Sequence, residues 1–520
     1  MKKERDVIDG TPSKRLFLSI IADYDINRSV CELIDNVLDI WNTNKRTIEL
    51  KLNIELSEEQ QTIRIEDNAG GIKEENLNSL IAPGVTLNDP KKEVIGLFGV
   101  GTKRAVVALG QEVKITTRYK EDKSFRIEFD DAWFGTDDWH LPYYEVEDIT
   151  PGSTIIELQK LRTKLDEQII TKLKSHLGAT YSKFLTSNIK ILINGEKIKA
   201  ESFDNWAYPP DFSPNQYKGS LTVDSDKVEV EITGGLANQS SPASGEYGVY
   251  LYCNDRLIVR ALKTYEVGFG KGQAGFPHPS ISLMKVIVSL NGPAELMPWN
   301  SSKSGINTNN PIFIGIRKYL FEIVKEYSSL SRRLEGEWQD EVFRYKKGNI
   351  NVLLVNNFEK IKNLHLPPLP IAKPRYIHVI KSANARISKK KPWVVGLYQS
   401  IIAVDLIAKQ NLDQKNRICL IILDSTLEIG FKEFLIYESG GQYSNNRLSA
   451  LFSNRHDVHN EIKKYKAISK ITWQKIDYYY NMRTKLVHEK AASQITDEDI
   501  EDYREVVEKV LKRFFGKLTF

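Results

Sequence analysis

The sequence predicts an α+β chain in three parts: an N-terminal α/β sandwich, a strand-rich α/β middle domain and an all-α C-terminal bundle. Three observations carry that prediction. Helical and strand periodicities alternate from Leu16 to Lys160; short alternating strands follow a Tyr208-Pro209-Pro210 break; and beyond Trp393 glycine and proline become rare while apolar residues recur at three and four. The expected boundaries are 1–205, 206–348, a Pro/Lys-rich linker at 349–392, and 393–520. At 520 residues the chain exceeds what one core organises, which agrees with three units.

Bulk properties narrow the class. Hydrophobic content of 41% and charged content of 27% are those of ordinary globular proteins. No apolar run reaches the roughly 18 residues that span a bilayer, and Met1-Lys2-Lys3-Glu4-Arg5-Asp6 lacks the apolar core of a secretion signal. Cys31, Cys253 and Cys419 lie far apart, without disulfide or metal spacing, so a reducing cytoplasm and no membrane partner are expected. A net charge of +5 is too small to establish a nucleic-acid partner.

In chain order, residues 1–15 are polar. The stretch Ser29–Asp39 places Val30, Leu33, Ile34, Val37 and Leu38 on one helical face, and Glu32, Asn36 and Asp39 on another. An alternating strand, Ile63–Glu66, runs through Asp67 into Ala69-Gly70-Gly71, and Gly96–Ala105 opens a second helix through Gly99 and Gly101. Glycines there let backbone N–H groups turn toward an anion, and a helix start adds a favourable dipole. Residues 73–95 read as a lid loop, with Pro83-Gly84 and Asn88-Asp89-Pro90 as its turns. Strands are expected near 47–55, 61–66, 112–119 and 123–129, and an amphipathic helix at 161–186.

Taken in order, these motifs resemble those of the GHKL ATPases, the group that contains gyrase, MutL, the heat-shock ninety chaperones and the MORC proteins. Gly152-Ser153-Thr154-Ile155 resembles the family's fourth motif. The resemblance, closest to the MORC and MutL type, covers residues 1–315 and implies a Bergerat nucleotide fold followed by an S5-like transducer domain. It implies ATP and Mg2+ as cofactors, Glu32 as general base and Asn36 as the magnesium-holding residue. Asp67 would receive the adenine amino group with Thr154 supporting it, Gly71 would leave room for the base, and Gly99, Val100, Gly101, Thr102 and Lys103 would wrap the phosphates. Asp39 would support this set. One departure is Ala69, where the family usually has glycine.

Past the break, Leu221–Val223, Val228–Ile232 and Gly248–Tyr252 alternate as strands. Gly248-Val249-Tyr250 with Asn254-Asp255-Arg256-Leu257-Ile258 is similar to the transducer hairpin with an arginine-bearing turn, though an ordinary hairpin reads the same way. Pro298–Gly305 falls where that family has a loop whose lysine reaches the terminal phosphate, and Lys303 is the corresponding residue. A long charged helix is expected from Ile312 to Lys347, acting as a spacer. Pro367, Pro368, Pro370, Pro374 and Lys389-Lys390-Lys391 mark the linker.

In the last part, helices are expected near 394–411, 415–436, 458–467, 469–490 and 496–515. Arg483 and His488 resemble the R-x(4–6)-H signature of HEPN domains, many of which are metal-independent ribonucleases acting as dimers; Thr484 departs from the polar residue common after the arginine. The resemblance implies His488 as acid or base on a ribose hydroxyl and Arg483 as phosphorane stabiliser. The two lie about 140° apart around a straight helix, so one site requires bending or a second subunit. A catalytic HEPN domain, a non-catalytic one and an unrelated bundle all remain open.

The implied function is an ATP-dependent homodimeric switch controlling a HEPN-like effector, in the setting of prokaryotic anti-phage defence or restriction, with RNA, DNA or a defence protein as partner. The alternative is an ATP-gated chaperone or DNA clamp whose bundle is a dimerisation or partner platform.

Overall fold

The computed structural model describes residues 14, 24–44, 48–97, 99–136, 138–185, 188–370, 375–465, 467–488 and 495–520, without the side chains of Arg375, Tyr376, His378 and His488. Apart from Lys14, the polar segment 1–15 lies outside the described residues.

The architecture is mixed α+β, with two mixed sheets and a helical C-terminal region. Helix α1 (Ile26–Thr43) begins at Asp25, whose carboxylate accepts from the Arg28 amide, and it buries Val30, Leu33, Ile34, Val37 and Leu38. Strands β1 (Leu50–Ser57) and β2 (Thr62–Asp67), helix α2 (Gly101–Leu109), β3 (Gly110–Arg118), β4 (Ser124–Asp130), the short α3 (Asp131–Phe134), β5 (Tyr143–Val146), β6 (Thr154–Leu161), α4 (Glu167–Thr180), β7 (Ile189–Ile193) and β8 (Glu196–Lys197) complete the first unit. Its sheet runs β5-β4-β3-β6-β2-β1-β7-β8, antiparallel except for the β1–β7 pair. The register sets Asp67 beside Thr154 and Thr154 beside Thr117, a row across three strands.

The second sheet contains β9 (Asn215–Val223), β10 (Asp226–Leu236), β11 (Gly248–Cys253), β12 (Arg256–Leu262) and β13 (Met284–Asn291). Helix α5 (Pro311–Arg333) starts on Asn310, which accepts from the Ile312 and Phe313 amides, and its proline fills the first turn. It buries Ile316, Leu320, Ile323, Val324 and Tyr327 against that sheet. A Cβ at Gly234 would meet Ile323 at 2.4 Å, so glycine allows this approach.

Two expectations change here. The helix from 312 ends at Arg333 and is a layer of the core rather than a spacer, because its apolar stripe faces the sheet. Within the expected linker, β14 (Asn351–Asn357) pairs in parallel with β9, and Phe358 is fully buried against Tyr319 and Gly219. Its alternation of inward Leu353 and Val355 with outward Val352 and Leu354 makes a half-buried edge strand. One core runs continuously from Ile26 to Phe358, so both sheets share it.

A second core belongs to the helices α6 (Arg375–Lys390), α7 (Val394–Ala408), α8 (Lys415–Glu433), α9 (Asn445–Phe452), α10 (Arg455–Lys464), α11 (Lys470–His488) and α12 (Asp497–Phe515). Helices α6 and α9 were not expected from the sequence; α6 packs Ile377, Ile380 and Ile387, spaced at three and seven, on the second core, a stripe hidden by the proline and lysine clusters on either side of it. This region docks on the second sheet's unit through Glu501, which accepts from Ser280 Oγ at 2.7 Å and Arg332 Nε at 3.1 Å and lies 3.0 Å from His278 Nδ1.

Candidate active site

Helix α1 projects Glu32 and Asn36, four residues apart, into a cavity of about 80 Å³ closed by the lid and the start of α2. Asn36 Nδ2 donates to the Glu32 carbonyl at 2.8 Å and to Thr102 Oγ1 at 2.7 Å, which turns Oδ1 into the available oxygen. Gly99 has φ of +62°, and a Cβ there would press the Gly84 and Val85 backbone at 2.8 Å. A Cβ at Gly101 would meet Glu32 Oε2 at 2.3 Å. No side chain caps α2 at Val100, so its first amides remain donors for an anion.

Asp67 ends β2 and is only 5% exposed. Its Oδ1 accepts from the Ala69 amide at 2.9 Å, while Thr154 and Thr117 hydroxyls share a hydrogen bond of 3.0 Å. Burial pushes the Asp67 carboxyl up to about 7, the Ala69 amide opposing it. Ala69 itself is buried, and Gly70 and Gly71 supply the positive φ of the turn. A Cβ at Gly71 would lie 1.9 Å from the Arg118 carbonyl, so glycine there serves the close passage of β3.

Asp39 anchors the lid. It accepts from Ile95 N at 2.8 Å, Gly96 N at 2.6 Å and Asn88 Nδ2 at 2.7 Å, while burial raises its carboxyl to about 6. Lys103 donates to the Val85 carbonyl at 2.8 Å and to Gly99 O, tying lid to helix, and burial lowers its ammonium to about 8.

The charge at the base of the cavity comes from two distant segments. Lys303, at φ +49° in its loop, donates to Glu32 Oε2 at 2.7 Å and lies 3.1 Å from Asp35 Oδ2. Arg256 donates from Nε to Asp35 Oδ1 at 2.8 Å and from Nη1 to the Lys303 carbonyl at 2.8 Å. Tyr181 OH reaches Asp35 Oδ1 and the Cys31 carbonyl, each at 2.8 Å. Burial pushes the Asp35 carboxyl up, but Arg256 and Lys303 outweigh it and hold the group below its ordinary range. Burial lowers the Lys303 ammonium, and Glu32 with Asp35 more than restores it.

Glu32, Asn36, Gly99, Val100, Gly101, Thr102, Lys103 and Lys303 therefore border one cavity, whereas Asp67, Gly71 and Thr154 lie outside its lining, Asp67 and Thr154 paired on neighbouring strands. Sequence reading assigned no role to Asp35, Arg256 or Tyr181. At helical spacing Asp35 falls outside the face of Val30, Leu33, Ile34, Val37 and Leu38, so nothing local marked its burial; Arg256 was visible only as a turn residue.

In the C-terminal region Arg483 Nε lies 3.6 Å from Asp424, whose carboxylate is held bidentately by Arg455 at 2.7 and 2.8 Å. His488 ends α11, and its side chain lies outside the described residues.

A mixed sheet carrying an acidic residue at a strand end thus stands beside a glycine-opened helix and a Glu/Asn pair on its neighbour. Residues 24–154 match the family model described as histidine kinase-, DNA gyrase B-, and HSP90-like ATPase, which supports the GHKL ATPase family for this segment. No curated protein matches the chain. Among the described residues no helix is long and apolar enough to cross a membrane.

Proposed function

We propose that this protein is an ATP-dependent molecular switch that binds and hydrolyses ATP with Mg2+ in the cavity between α1, α2 and the lid. The observation that carries the reading is Lys303, delivered from beyond the second sheet onto the Glu32 carboxylate. A cation there neutralises the general base until a terminal phosphate competes for it. Once Lys303 turns to that phosphate, Glu32 is free to take the proton of the attacking water as the bond to the leaving phosphate breaks, and the ammonium offsets charge growing on the transferred group.

The uncapped amides of α2 and the glycines at 99 and 101 suit a triphosphate chain, and Asp67 with Thr154 suits an adenine edge. Asn36 Oδ1 would hold magnesium, which supplies neutralisation of phosphate charge; among the described residues no cluster of three acidic or thiol or imidazole groups could hold it alone, in keeping with an ion carried mainly by phosphate and water. At about 80 Å³ the cavity is too small for a nucleotide, so Asp39 and Lys103 must let the lid move on binding.

The wider reading is a Bergerat fold joined to an S5-like transducer, dimerising on ATP, with a HEPN-like output domain in anti-phage defence. A platform role for the bundle has one observation in its favour: Arg483 faces Asp424 rather than standing clear of other side chains. Replacing Glu32 by Ala is the test of the ATPase: turnover should vanish while nucleotide binding persists, and unchanged turnover ends the assignment. RNA cleavage or cell toxicity that disappears in His488→Ala selects the nuclease output over the platform.

A further inference from the structure

Helix α12 carries opposite charge at its two ends. Its first half holds the acids, Glu501 among them, that dock the helical region on the second sheet's unit; its last turns hold Lys509, Lys512 and Arg513, all exposed. Arg513 lies about 18 Å along the helix from Glu501, so the basic end stands clear of that docking contact. The three cations line a groove of about 480 Å³ together with Ser469 and Thr472 from the turn into α11, and among the described residues no carboxylate lines it.

Two of these cations are uncommitted. Lys512 donates to Glu508 and lies over the Phe520 ring at 5.7 Å, whereas Lys509 and Arg513 make no hydrogen bond, ion pair or ring contact among the described residues. Lys509 and Arg513 stand at i and i+4 and Lys509 and Lys512 at i and i+3, spacings at which like charges destabilise a helix unless a counter-charge sits beside them. The helix dipole favours Lys512 and Arg513 in the last turn, but Lys509 comes a turn earlier. Thr472 is only 7% exposed, and its hydroxyl shares one hydrogen bond of 2.8 Å with Ser469 Oγ, which also accepts from the Thr472 amide. Two hydroxyls with one bond between them leave one O–H without an acceptor, a further donor in the same lining.

We infer that this groove binds the phosphodiester backbone of a single nucleic-acid strand, with Lys509 and Arg513 as two separate phosphate contacts. Phosphodiester groups bring acceptors and negative charge, which is what a lining of cations and a spare hydroxyl lacks; a peptide strand would bring N–H donors with no carboxylate here to receive them. No aromatic ring lines the groove among the described residues, so binding follows charge rather than base identity. Arg483 lies about 20 Å along α11 from Lys470, so the groove is separate from the Arg483 and His488 pair and rests neither on it nor on the ATPase reading.

Fluorescence anisotropy of labelled oligouridylate and oligothymidylate of about 12 nucleotides, titrated with the full chain between about 50 and about 200 mM salt, tests it. Each phosphate contact on a single strand contributes about −0.7 to the slope of log K against log salt. Lys509→Glu with Arg513→Glu should therefore flatten the wild-type slope by about 1.4 and weaken binding at least tenfold at the lower salt. Lys509→Gln with Arg513→Gln should flatten it as far with a smaller loss of affinity. Both positions are exposed, and an unchanged urea midpoint verifies folding in each variant. Binding of either strand with these changes supports the inference, and the ratio of the two affinities says whether RNA or DNA is the natural strand. Absence of saturable binding to both strands, or a slope unchanged in both variants, overturns it.

Discussion

Asp35 is fully buried between a guanidinium and an ammonium, and its chemistry follows from that position. Arg256→Ala leaves the carboxylate with half its compensation, and chemical denaturation is expected to show a loss of about 3–5 kcal/mol. Asp67 behaves in the opposite sense. Its folded carboxyl, raised to about 7 from 3.8, binds a proton more tightly than in the unfolded chain. The stability this contributes is complete below 3.8 and is lost as pH rises through 7. Asp67→Asn should flatten that slope, with a gain at pH 8 on the order of 4 kcal/mol as an upper bound, measured by urea unfolding at pH 5 and pH 8. Glu32 and Asn36 were legible in the sequence because helical spacing displays them together. Asp35 was not, since its partner lies 221 positions along the chain.

Among elements, the lid illustrates how local pattern and long-range contact divide the work. Its turns at Gly84 and Asn88 could be read directly, but its anchoring could not: Asn254 Nδ2 donates to Val94 O at 3.1 Å, and the Ala294 amide donates to Lys92 O at 3.0 Å, so the second sheet's unit holds its end. Asp39→Ala removes the acceptor of three donors, and amide exchange across residues 85–97 is expected to accelerate about tenfold or more, each lost net hydrogen bond being worth about 1 kcal/mol. Exchange in β10 should stay unchanged. The strand β14 escaped the sequence reading because seven residues beside a proline-rich tract carry little pattern of their own; only pairing with β9 defines it. Phe358→Ala should cost about 3–5 kcal/mol in denaturant unfolding if this tract belongs to the core, and almost nothing if it were a tether.

At the scale of the molecule, the helical region rests on Glu501. His278 is raised chiefly by its hydrogen bond to Glu501, and the Glu501 carboxyl, despite burial, is held down to about 2 by His278 and Arg332. The histidine's contribution is present below 6.5 and is lost as pH rises through its raised value; the glutamate's is present above 4.5 and is lost as pH falls through about 2. Limited proteolysis should therefore release the helical region more readily at pH 9 than at pH 6, and His278→Ala should remove the difference. The change from a mixed α+β part to a helical C-terminal region was visible from periodicity, whereas the docking was not, because charged pairs across an interface leave no periodic trace.

The uninterrupted interior from Ile26 to Phe358 has a practical bearing on dissection. Severing the chain at 205 would take Lys303 and Arg256 away from Asp35, leaving a fragment with a raw apolar wound and an orphaned acid at its centre. The separable piece is the one with an interior of its own, beginning near Arg375.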